Sequence, residues 1–73
     1  MLIELTNERM EKFWVNTINI KTVRPLMGGK SQIDFSSGSY VVCMESGDVV
    51  SEKVNKALLI AKSFNEENGE QHA

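Results

Sequence analysis

Seventy-three residues carrying a net charge of -2 set narrow bounds. That near-balance excludes a general DNA-coating protein, which needs a strongly basic surface, and is too mild for an acidic DNA mimic. One cysteine and one histidine exclude an internal disulfide and a four-ligand structural zinc site.

Leu2-Ile3-Glu4-Leu5-Thr6 alternates, which predicts a first strand with Ile3 and Leu5 on one face. The polar stretch that follows, up to Lys12, reads as a turn or short irregular loop. Phe13-Trp14-Val15 predicts a second strand, with Phe13 and Val15 sharing a face and Trp14 on the other. Asn16-Thr17 breaks the run. Residues 18–24 are rich in β-branched side chains and predict a third strand, with Ile18, Ile20 or Val23 alternating around a local irregularity. Pro25 ends it, because proline has no amide proton for the ladder.

Gly28-Gly29 supplies the positive φ of a tight reversal. Gln32-Ile33-Asp34-Phe35 is a fourth strand with Ile33 and Phe35 inward. Ser36-Ser37-Gly38-Ser39 is a hairpin turn, and residues 40–44 return antiparallel. This last strand is apolar on both sides, with Tyr40, Val42 and Met44 against Val41 and Cys43. Two-sided apolarity implies cover on both faces.

Ser46 is the expected N-cap of a helix over residues 49–64, with Asp48 in its first turn. Val50, Val54, Ala57, Leu58, Ala61 and Phe64 form the predicted core-facing stripe. Val49 and Ile60 flank that stripe and Leu59 lies opposite, so the three mark a candidate contact surface. Residues 65–73 are polar and acidic and read as a flexible tail beyond a single domain at 1–64.

No catalytic constellation is legible. Gly29-Lys30-Ser31 is not a phosphate-binding loop, since Arg24 stands where its first glycine belongs and a strand follows instead of a helix. Cys43 sits between apolar neighbours and reads as an inert packing residue. His72 lies in the tail, which removes a Ser/His/Asp arrangement. Glu4, Asp34 and Glu45 occupy positions where solvated carboxylates are ordinary. No cofactor is expected.

Two binding features remain. Lys21, Arg24 and Lys30 form a candidate basic patch, for which the simpler reading is a guarded strand edge. Trp14 is either a partner-binding anchor or a residue of a second packed face. A chain this short buries only about 60–65% of its unfolded surface. With no disulfide or metal to staple it, self-association or docking on a partner is expected. There is no run of 18 apolar residues and no basic segment leading an apolar one, so a cytoplasmic location is expected.

The chain resembles the FlbD-type small proteins of bacterial flagellar operons, which are associated with swarming motility. The resemblance runs over residues 2–56. It rests on Ile3-Glu4-Leu5-Thr6, the Phe13-Trp14-Val15-Asn16 step, and Ile20 and Val23. It continues through Ile33, Phe35, Gly38, Tyr40 and Val42 to Glu45-Ser46, with Val50, Lys53 and Val54 in the helix. The family's Leu-Asn-Gly turn is replaced here by the longer residues 7–12.

The residues together predict an α+β fold, with four or five antiparallel strands in a small sheet or open barrel and one C-terminal amphipathic helix. The expected function is binding: a non-enzymatic, homo-oligomeric protein-interaction module acting on a larger machine, which the resemblance implies is flagellar. The alternatives are a phage-encoded inhibitor of a host or defence complex, and a small nucleic-acid or nucleotide binder using the basic patch.

Overall fold

In the computed structural model the backbone is described for residues 1–72 and the side chains for residues 1–60. Strand β1 (Leu2–Thr6) pairs antiparallel with β2 (Lys12–Asn16). Ile3 lies opposite Val15 and Leu5 opposite Phe13, so one face of the hairpin is apolar and enters the core. The connecting turn is organised by Asn7, whose Oδ1 accepts from the amides of Arg9 and Glu11, both at 2.9 Å. An Asx side chain commonly replaces a backbone acceptor in this way.

The chain then departs from the expected third strand. Ile18 is in a 3-10 turn, Thr17–Asn19, and is exposed. The Asn16 side chain accepts from the Ile18 amide and caps this turn, while the Thr17 amide donates to the Met1 carbonyl. That local capping outweighs the β-propensity of Ile18. Strand β3 therefore starts later, at Ile20–Pro25, with a register shift between Ile20 and Thr22 that is the anticipated irregularity.

β3, β4 (Ser31–Phe35) and β5 (Tyr40–Cys43) form a second antiparallel sheet in that order. Gly28 and Gly29 make the β3–β4 reversal at φ 81° and 79°. Gly38 makes the β4–β5 turn at φ 95°, with open space where a Cβ would stand. Only backbone strain therefore opposes a side chain there. Gly38→Ala is expected to lower stability by about 1 kcal/mol in urea unfolding.

The five antiparallel strands thus form two small sheets. They meet where the Met44 amide donates to the Thr6 carbonyl at 2.7 Å. Ile3, Leu5, Val15, Ile33 and Cys43 fill the space between them, closed by Val50 and Ala57 of helix α1 (Gly47–His72). The α+β class read from the sequence holds.

The helix begins as expected: the Ser46 Oγ accepts from the Val49 amide at 3.3 Å, and Asp48 lies in the first turn. Val50 and Ala57 are buried and Val54 packs against the core. Leu58 is an exception to the predicted stripe, being 56% exposed. Leu58 takes no part in the core cluster that its neighbour Ala57 joins. The backbone stays helical to His72, past the predicted end at residue 64 and through most of the stretch read as a tail; the expectations for Ala61 and Phe64 fall outside the described side chains. Among the described residues, no helix is long and apolar enough to cross a membrane.

Candidate protein-interaction surface

The surface rests on a polar clamp at the β5–α1 join. The Glu45 carboxylate takes Thr6 in both hands: the Thr6 amide donates to Oε1 and the Thr6 hydroxyl to Oε2, each at 2.9 Å. Ser31, fully buried, donates its hydroxyl to the Glu45 carbonyl at 2.8 Å. Lys53 reaches back from the helix and donates to the Glu4 carbonyl at 2.7 Å. Together these groups satisfy the outer edge of β1 where it meets β5 and the helix.

Burial pushes the Glu45 carboxyl up. The Thr6 amide, Glu45's own amide, the Thr6 hydroxyl and the Lys53 charge outweigh that and hold it below the ordinary glutamate range. Nearby, burial first and the Glu45 charge second push the Cys43 thiol up. Cys43 is buried and its Sγ lies 3.7 Å from the Glu45 carbonyl, in keeping with an inert packing thiol.

On the opposite face of the hairpin, Trp14 is 59% exposed. It stands across from Glu4, whose carboxylate pairs with Lys12 at 2.6 Å. Leu2, also exposed, lies diagonal to Trp14 on that face, since its direct partner is Asn16. Cross-strand diagonals of this kind are within reach of an aromatic side chain. Leu2 also lines, with Met1, Ala57 and Ile60, a groove of about 250 Å³ between β1 and α1.

The outward side of β5 adds to this exposed apolar surface. Tyr40 is 62% exposed, Met44 is exposed and Val42 is half-buried. Cys43 and Val41 face the core, and among the described residues the core cluster does not extend to the other side, which leaves a second subunit as the source of the expected cover there. On the helix, Val49, Leu59 and Ile60 are all exposed, as the sequence predicts. With Ala57 and Leu58, residues 57–60 are apolar all the way round one turn. Such a turn calls for cover on more than its core side.

The basic patch is dispersed and largely paired. Arg24 Nε lies 2.7 Å from Asp34 Oδ2, although that buried oxygen has no hydrogen bond of regular geometry. The Gln32 amide chiefly, with Arg24 and Thr22 and against desolvation, holds the Asp34 carboxyl below its usual range. Lys30 pairs with Glu8 at 3.1 Å. Lys21 is exposed on β3.

Comparison with family models, with curated proteins and with solved structures returned no match.

Sequence reasoning left Trp14 open between an exposed anchor and a packed residue, and the structure exposes it; Val49, Leu59 and Ile60 are exposed as the helix pattern suggests, but what supports this surface was missed. Glu45 looked like an ordinary solvated carboxylate, and Ser31 drew notice only within the rejected Gly29-Lys30-Ser31 motif. The signal was weak: a serine at an inward position of β4, alternating with Ile33, asks for a hydrogen-bond partner.

Proposed function

We propose that this protein is a non-enzymatic interaction module that adjusts a larger assembly by docking through the outward face of its β1–β2 hairpin. The observation that carries the reading is the exposure of Trp14 on a hairpin whose other face is locked into the core. Large aromatic anchors dominate binding energy at protein interfaces. Two-stranded scaffolding also holds the indole with little entropy left to lose on binding. What supports a flagellar assembly is the resemblance to FlbD-type proteins, and the proposed partner is accordingly a cytoplasmic component of the bacterial flagellar motor.

Nucleic acid is the less favoured ligand. Two of the three candidate cations, Arg24 and Lys30, already have carboxylate partners. Counterion release, which drives such binding, is correspondingly small.

Trp14→Ala is expected to leave the melting temperature nearly unchanged, because the side chain is mostly in solvent. It is expected to lower retention on isolated flagellar basal bodies about thirtyfold or more, as loss of roughly 2 kcal/mol at an anchor implies. Retention of the wild type should change little between low and moderate salt. Equal retention of wild type and variant would contradict the reading. A variant that melts much lower would place Trp14 in the stability of the fold instead.

A further inference from the structure

The outward strip of α1 is complementary to itself. Val49, Glu52, Lys56 and Leu59 are spaced three, four and three residues apart and are all exposed. At 100° per residue they lie within an arc of about 80°, turned away from the Val50 and Ala57 side. Read along the strip, the order is apolar, acidic, basic, apolar. The pairs Val49 with Leu59 and Glu52 with Lys56 are each centred on the level of Val54. An antiparallel copy, placed by a two-fold axis at that level, therefore sets Val49 against Leu59 and Glu52 against Lys56, and each pair recurs by symmetry.

From this the geometry points to a homodimer in which two copies pack their α1 helices antiparallel through Val49, Glu52, Lys56 and Leu59. The occupant is a second copy because the charge order is complementary to its own reversal. A parallel copy would face Glu52 with Glu52 and Lys56 with Lys56. Dimerisation also supplies the staple that so small a domain lacks. Lys56 adjoins Leu2 and Glu4 across the β1–α1 groove, but Trp14 is not on the strip, and the two readings are tested by different residues.

The test is sedimentation equilibrium on the full chain with charge swaps. Wild type is expected to be a dimer at tens of micromolar. Glu52→Lys alone and Lys56→Glu alone each set like charges across the interface twice. Each is expected to weaken association at least tenfold while circular dichroism stays unchanged, since both positions are exposed. The double variant Glu52→Lys/Lys56→Glu reverses both signs and is expected to restore the dimer. An equimolar mixture of the two single variants should form a heterodimer. A wild type that remains monomeric at about 100 µM would overturn the proposal. So would single variants that dimerise like wild type, or a double variant that fails to recover. Retention on basal bodies reads the Trp14 face separately.

Discussion

Val50→Asp is expected to abolish the folded state. Val50 has no exposed surface and sits in the first turns of α1, within the core cluster that includes Leu5, Ile33 and Cys43. A carboxylate there enters an apolar cluster, and Lys53, the cation one turn on, is already held by the Glu4 carbonyl; burying a charge costs several kcal/mol even after the group shifts toward its neutral form. A domain of this size has a total stability of only roughly 4–10 kcal/mol. Removal of the valine packing adds to the loss. Circular dichroism should show no cooperative thermal transition for this variant at neutral pH. Asn55→Ala, exposed on the same helix, should melt like wild type. A cooperative transition for Val50→Asp near the wild-type temperature would contradict the packing of α1 on the sheets.

The second large effect is at the clamp. Glu45→Ala removes two hydrogen bonds to one carboxylate and leaves the Thr6 amide without its acceptor. Bonds to a charged acceptor are worth about 1.5–3 kcal/mol each when buried. Glu45 is half-buried, so a total loss of about 2–3 kcal/mol is expected in urea unfolding at pH 7.

The clamp has a pH signature. Because the Glu45 carboxyl titrates below its ordinary range in the folded protein, its contribution is fully present above the unfolded-state pKa, roughly 4.3. It is lost as pH falls through the lower folded-state value. Asp34 is shifted in the same direction and contributes with the same sign. Wild type should therefore lose stability on acidification below about pH 5. Glu45→Ala should show a shallower decline, with the Asp34 part remaining. Parallel declines for the two proteins would remove Glu45 from the account of acid stability.

Much of this architecture was legible because it follows from period. Alternation placed Ile3, Leu5 and Ile33 inward, and the glycines marked both reversals of the second sheet. The i, i+4, i+7 spacing of Val50, Val54 and Ala57 found the packed side of the helix. Period fails where a local cap competes with propensity: Asn16 turns Ile18 out of a strand its side chain favours. It also fails at the margin of the stripe, as for Leu58, which is in phase with Val54 but stays exposed and outside the core cluster. The clamp was hidden for another reason. Thr6 and Glu45 are 39 positions apart, and no local pattern distinguishes a carboxylate that grips a distant amide from one in water. Trp14 was ambiguous in sequence because alternation gives a face but not what lies over it.

The claim that the Trp14 face docks on protein is tested most directly by that residue itself. Trp14 is the single tryptophan of the chain, so biosynthetic labelling with fluorotryptophan gives one fluorine resonance reporting from the centre of the surface. In the free protein it should lie at the position of a solvent-exposed indole and respond to the isotope composition of the water. On titration with isolated flagellar basal bodies it should broaden or shift at substoichiometric amounts, and a single-stranded oligonucleotide at the same ionic strength should leave it unchanged. A resonance that responds to the oligonucleotide and ignores the basal bodies, or one unmoved by either, would contradict the account.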